Sequence, residues 1–178
     1  GFTRLANSLV ARRVVTILND IFGRFDKKAA QFEVEKIKTI GDSYMAVSGL
    51  FESKDNHAEN AVRMALSTIT ELGRFNDDFK FNLDIRIGIN SGPVIGGVIG
   101  ESRFMYDMWG DTVNVASRME SEGMNGMVQI SEATYDLVKL IPDFNFVSRE
   151  NVEIKGKGTM DTWLVANNPP RRRKSDRQ

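Results

Sequence analysis

An α+β fold, with helices packed over a mainly antiparallel sheet, is predicted by three features of the chain. Two long stretches carry apolar residues at helical spacing, shorter alternating apolar runs are joined by Gly-containing turns, and no internal repeat is present. The first helix is read from Leu9, Val14, Leu18, Ile21, Phe22 and Phe25. FEVEKIKTI and SYMAVSGL then flank Gly41-Asp42, a two-residue turn that favours a β-hairpin. The second helix follows from Ala58, Ala61, Val62, Ala65, Leu66, Ile69 and Leu72, with Asn56 and Glu59 as an N-cap pair and Gly73 as its stop. LDIRIGIN, a turn at NSGP and the returning VIGGVIG read as a second hairpin, and Gly96-Gly97 as a bulge or a close backbone approach. A third helix spans about Thr112 to Met119. SEATYDLVKLIP gives a fourth, capped by Ser131 and stopped by Pro142, and NVEIKGKGTMDTWLVA closes the fold as strand, loop and strand.

Composition excludes several classes of function. With 24 basic and 24 acidic residues the formal charge is zero, so no global field attracts nucleic acid or an acidic membrane, and an anion has to be bound locally. The absence of cysteine removes disulfides and thiolate zinc sites, and suits a reducing, cytoplasmic setting. No apolar run approaches the roughly 20 residues of a membrane helix. The single histidine, His57, has no second histidine nearby and reads as a helix-start surface residue, which sets histidine catalysis aside. GFTRLANS opens without an initiator Met, and Pro169-Pro170 leads into RRRKSDRQ, so the expectation is a globular domain at residues 1–166, a solvated, disordered tail at 167–178, and a longer parent protein.

Generic phosphate motifs fail. GPVIGGVIGES lacks the Gly-Lys-Ser/Thr ending of a P-loop, GKGTMD lacks the third glycine of a dinucleotide fingerprint, and no Gly-x-Ser-x-Gly elbow or Cys/His pair offers a nucleophile. What remains is a scattered polar set. Asp107 lies between Tyr106 and Trp109, Asn114 and Arg118 share a helix face four residues apart, Lys155 sits in a Gly-rich loop, and Asp42 tips a hairpin. Singly these read as a helix-start carboxylate, a surface ion pair, a solvated lysine and a turn residue.

Together, KTIGDSYM, YDMWGDTVNVASRMES, IKGKGTMDTW and the opening GFTRL resemble, in order, the catalytic domain of class III nucleotide cyclases. The resemblance implies a ferredoxin-like βαββαβ core and a head-to-tail homodimer with two active sites at the interface. It also implies conversion of a nucleoside triphosphate into a 3′,5′-cyclic monophosphate and pyrophosphate. Residue by residue it assigns Asp42 to metal binding, with two Mg²⁺ or Mn²⁺ per site, Asn114 to the ribose and Arg118 to the α-phosphate. Lys155 falls to the β- and γ-phosphates, and Phe2 and Thr3 to a backbone loop that cradles phosphate. Lys38 and Asp107 match the family's purine-reading pair. A lysine donor and an aspartate acceptor suit adenine, whereas guanylate cyclases usually carry glutamate and cysteine there. The expected activity is therefore adenylate cyclase acting on ATP.

The family's first metal aspartate lies three residues before Gly-Phe-Thr, so the first strand is expected to be truncated in the chain as given, and the chain to be nearly inactive by itself. An upstream sensor or membrane domain is expected beyond this segment. Three other readings carry their own marks: a guanylate cyclase, a non-catalytic cyclase-like partner, which would usually lack part of the Asp42, Asn114 and Arg118 set, and a nucleic-acid-binding module, which would need a basic face.

Overall fold

In a computed structural model, residues 10–51, 55–100 and 105–167 are described. Phe2, Thr3, the opening of the chain and most of the C-terminal tail lie outside them.

Helix α1 (Ala11–Gln31) buries Ile17, Ile21, Phe25 and Ala29, a seam at four-residue spacing. Ile17, Ile21 and Phe25 pack on Leu72 and Phe75 of helix α2 (His57–Phe79) and on Leu83 just beyond it. The expected stop of α2 at Gly73 is corrected: the helix runs six residues further. A mid-helix glycine costs only about 1 kcal/mol relative to alanine, and Phe75, 1% exposed, recovers more than that by burial. The helix ends where Lys80 turns left-handed at φ 58° and the Asn76 side chain clasps both backbone groups of Leu83. Its start is where expected, at Asn56, but the expected capping bonds are not made. Asn56 makes no side-chain cap, and its amide reaches Asn60 while Glu59 pairs with Arg63 at 2.7 Å.

Strands β1 (Val34–Ile40) and β2 (Ser43–Ser48) form the expected hairpin, with Gly41 at φ 61° in its turn. The ladder carries a bulge: Lys36 faces Ala46, but Lys38 already faces Met45.

The second hairpin is corrected. Strand β3 (Ile87–Ile89) pairs in parallel with β6 (Val128–Ser131), and β4 (Ile95–Ile99) returns along β5 (Met105–Trp109) in a ribbon of its own. Parallel neighbours need a crossover, and helix α3 (Asp111–Ser121) supplies it. Helix α4 is shorter than expected (Glu132–Val138), its start capped by the Ser131 hydroxyl accepting from the Thr134 N–H. Strands β7 (Phe144–Ile154) and β8 (Gly158–Asn167) complete a four-stranded sheet ordered β3-β6-β8-β7, in which only β3–β6 is parallel. The mixed, mostly antiparallel sheet flanked by helices matches the expected class, and the element order α1-β1-β2-α2-β3 follows the expected αββαβ sequence, with β1–β2 paired as a sheet of their own.

Register assigns the sheet's faces. Val128, Val165 and Phe146 lie in line and pack with Ala58, Val62 and Ala65 of α2 and Val138 of α4. The alternate face carries Gln129 toward Met119 of α3, and Val115 and Met119 pack on Ile154. Helix α3 is seated directly on β3. A Cβ at Gly88 would stand 2.5 Å from the Ala116 carbonyl oxygen and nearer still to the Glu120 nitrogen, both backbone atoms that have no rotamer to yield. Gly88→Ala should therefore cost about 3 kcal/mol, the upper end for overpacking, and lower the thermal midpoint by roughly 6–12 °C. An unchanged midpoint in a calorimetric scan would contradict this seating.

Candidate functional site

Two elements bring the purine-reading candidates together. Lys38 leaves β1 and Asp107 leaves β5, and the Lys38 ammonium donates to Asp107 Oδ2 at 2.6 Å. The second carboxylate oxygen accepts the Met108 N–H at 2.8 Å, which fixes the rotamer from the strand's own backbone. The side chains are 36% and 21% exposed, so the pair sits at a rim that a planar ligand edge could reach. Hydrogen bonding to Lys38, then to Met108 N–H, holds the Asp107 carboxyl below the usual carboxylate range against a small desolvation. Gly97 faces Asp107 across the ribbon, and a Cβ at Gly96 would strike the Tyr106 hydroxyl. The Gly-Gly pair is thus the close approach expected of it, clearing room for the aromatic residues of β5.

Helix α3 presents Asn114, exposed, and Arg118, half-buried, one turn apart. Neither side chain bonds to a described side chain. The helix start is located by Asn90, a residue not singled out above, together with Thr112. Asn90, just after β3, donates to the Thr112 carbonyl at 3.0 Å and accepts from Ser131 at 2.6 Å, and the Thr112 hydroxyl donates to the Pro93 carbonyl at 2.7 Å. Asn90 carried a legible signal, a polar residue ending an apolar strand inside INSGP. At the other end, the Arg149 guanidinium of β7 donates to the Glu122 carbonyl at 2.9 Å and to Gln129 Oε1.

Asp42 stands exposed at the hairpin tip, with no hydrogen bond or ion pair to a described residue. Lys155 is likewise exposed, with no hydrogen bond or ion pair to a described residue, in the β7–β8 turn, where Gly156 and Gly158 are left-handed at φ 82° and 76°. Its neighbour Lys157 pairs with Asp111 at 2.6 Å, tying that turn to the first turn of α3, a contact the sequence reading did not foresee. No hydrogen bond or ion pair joins Asp42, Asn114, Arg118 or Lys155 to the Lys38–Asp107 pair. Among the described residues no three acidic, histidine or cysteine side chains gather as a metal site. Asp42, a carboxylate with no partner among the described residues, is of the ligand type that suits a hard divalent cation, because Mg²⁺ is usually held by one or two carboxylates with phosphate oxygens and water completing its shell.

The ion pair has a pH consequence. Asp107 is depressed in the folded state, so its contribution to stability is complete above the unfolded value and fades as pH falls below about 4. An NMR titration should find the Asp107 carboxyl below the ordinary range, and Lys38→Met should move it upward. A titration unchanged by that substitution would mean that the two groups do not meet in solution.

Comparison with known proteins places this geometry. The family model for the adenylate and guanylate cyclase catalytic domain matches residues 1–167. The chain is 42% identical over 167 residues to the receptor-type guanylate cyclase gcy-28 of Caenorhabditis elegans, covering 92% of this chain and 13% of that protein. It is 43% identical over 169 residues to the germination-specific adenylate cyclase of Dictyostelium discoideum, covering 93% and 20%. The chain thus spans a fifth or less of the length of these two relatives. Among solved structures, the guanylate cyclase domain of RhGC from Catenaria anguillulae, in complex with GTP, superposes with a TM-score of 0.89 at 37% identity, covering 95% of this chain and 92% of that one. With the family model spanning nearly every residue and the sheet and helices superposing on a solved cyclase domain, the chain belongs to the class III nucleotide cyclase catalytic domains, the superfamily of adenylate and guanylate cyclases.

Proposed function

We propose that this domain is an adenylate cyclase, converting ATP into 3′,5′-cyclic AMP and pyrophosphate. The observation that carries the choice of base is the Lys38–Asp107 contact, a donor held beside an acceptor at 2.6 Å. Adenine presents an acceptor at N1 and a donor at N6, adjacent on one edge, and with Lys38 on N1 and Asp107 on N6 both are satisfied. Guanine presents a donor at N1 and an acceptor at O6, and requires the opposite order. A site with such fixed polar groups rejects the wrong base because the mismatch leaves them unpaired.

The reaction joins the ribose 3′-oxygen to the α-phosphorus, releases pyrophosphate by cleaving the bond to the bridging oxygen, and gives the hydroxyl proton to solvent. In it the protein positions and neutralises. Asn114 orients the ribose, and Arg118, on the same helix face and with no side-chain partner among the described residues, takes up charge at the α-phosphate. Lys155 holds the β- and γ-phosphates, and Phe2 and Thr3 belong to the phosphate-cradling loop. Two Mg²⁺ or Mn²⁺ ions, with Asp42 as one ligand, would supply Lewis-acid neutralisation of the phosphate oxygens.

The site is completed by a second copy of the chain. Support comes from the β4–β5 ribbon, which leaves Ile95, Val98 and Ile99 largely exposed and Tyr106 and Trp109 at its rim. Upstream sensor or membrane segments, and a cytoplasmic placement of this domain, belong to the same proposal.

In the full-length protein, Lys38→Glu with Asp107→Cys should lower turnover of ATP and raise the relative use of GTP. An unaltered ratio of the two in a cyclic nucleotide assay would remove these residues from base recognition.

Mixing tests the shared site. Asp42→Ala and Arg118→Ala should each be crippled, and equal mixing under subunit exchange should restore activity. Half the dimers become mixed and one of their two sites is intact, so the ceiling is about a quarter of the unmutated rate. A rate no greater than the sum of the two mutants would show that the site is built within one chain.

A further inference from the structure

Lys36 and Lys38 are two residues apart on β1, a spacing that in a regular strand points both side chains to the same face. They point to opposite faces here. The Lys36 ammonium donates to Asp26 Oδ2 of α1 at 2.9 Å, whereas Lys38 reaches Asp107 on β5. The bulge at Ile37 makes the difference, because Lys36 pairs with Ala46 and Lys38 with Met45, adjacent residues of opposite parity.

Two fixed points force that extra residue. On one side, the Gly41-Asp42 turn pairs Ile40 with Ser43, and counting back from it places Thr39 on Tyr44 and Lys38 on Met45. On the other, Lys36 is anchored on the helix face, together with Val34, which is buried among Ala29 and Met64. The two counts disagree by one residue, and Ile37 absorbs it. Extending the pairing of the turn without a bulge would set Lys36 on Val47, on the face that Lys38 now occupies. Extending the pairing of Lys36 would set Lys38 on Tyr44, crowding two ammonium groups around one aspartate and stripping Asp107 of its partner.

The anchor is a built cluster. Asp26 also accepts the Tyr44 hydroxyl at 2.7 Å, and the Lys36 ammonium lies 5.3 Å from the centre of the Tyr44 ring. Burial first, then the Asp26 carboxylate, raise the Tyr44 phenol well above its ordinary range, so it remains a donor at every physiological pH.

We propose that Lys36, held by Asp26 of α1, is a positioning residue for base specificity: it pins the bulge at Ile37, and the bulge fixes the face from which Lys38 reads the purine. The inference deepens the adenylate cyclase reading and rests on it for its kinetic test, while its structural test is independent of any activity.

The experiment compares Lys36→Met, Lys36→Arg, Asp26→Asn and Tyr44→Phe. In the full-length protein, Lys36→Met and Asp26→Asn should lower the ratio of kcat/KM for ATP to that for GTP by about fivefold. Lys36→Arg, which keeps the cation, should restore it to within about twofold. Tyr44→Phe keeps the Lys36–Asp26 bond and the ring, and should lower the thermal midpoint while leaving the ratio alone. In this chain, Lys36→Met should also move the Asp107 carboxyl titration upward, since Lys38 no longer faces it. Equal loss with both purines, or Tyr44→Phe moving the ratio as far as Lys36→Met, would overturn the proposal by reducing the cluster to general support. An unmoved Asp107 titration in Lys36→Met would overturn it as well, leaving Val34 to set the register. If the unmutated protein cyclises neither nucleotide, the adenylate cyclase reading falls, and the Asp107 titration still decides the role of Lys36.

Discussion

The seat of α3 on β3 is the contact on which the rest of the domain depends. A helix backbone approaches a strand closely enough to exclude a single Cβ only where glycine stands, and Gly88 stands there. That approach sets the height of α3 above the sheet. Asn90 and Thr112 then fix its start, and Arg149 its end, by hydrogen bonds to main-chain carbonyls. Asn114 and Arg118 therefore project from a body located at three points, none of which is a reacting group. A rigid helix held in this way suits a reaction in which the protein contributes placement and charge more than covalent chemistry.

Local chemistry was legible in the sequence where it acted alone. Gly41-Asp42 announced its hairpin because a two-residue turn selects its own geometry, and the period of apolar residues announced α2 and the existence of α1, although Ile17 and Ala29 of the α1 seam were not read from it. Non-local pairing was not legible. LDIRIGIN and VIGGVIG look like hairpin arms, yet the partner of β3 lies some forty residues on, and every residue of β6 is buried, so no alternation marks it as a strand. The end of α2 was misplaced because a glycine was read as a stop while the burial of Phe75, a tertiary matter, carried the helix through.

Site legibility divides in the same way. Lys38, Asp107, Asn114 and Arg118 were named from their resemblance to a family, and the structure brings the first two into contact while keeping the last two on one helix face. The contact itself could not be read from spacing, because 69 residues separate its members. The inversion of Lys36 and Lys38 was hidden for a different reason. Period-two reasoning assigns them one face, and the mismatch that separates them appears only when the turn and the helix-side anchor are counted against each other. Asp111 and Lys157 were also passed over, each lying beside a residue that drew attention for itself.

The ribbon of β4 and β5 has a thermodynamic consequence. It is a two-stranded unit apart from the main sheet, it leaves three aliphatic side chains largely bare, and such ribbons are marginal in isolation. It therefore belongs to the low end of the domain's spectrum of local opening free energies. Asp107 rides on it, so under the proposed function the base acceptor would hold its binding geometry only in the fraction of molecules whose ribbon is closed, and the observed dissociation constant of a purine would be the intrinsic one divided by that fraction. Whatever covers Ile95, Val98 and Ile99 raises the closed fraction, and on the proposed reading it would tighten nucleotide binding without touching the nucleotide. If a second copy is that cover, as proposed above, subunit association and substrate affinity are two readings of one linked equilibrium.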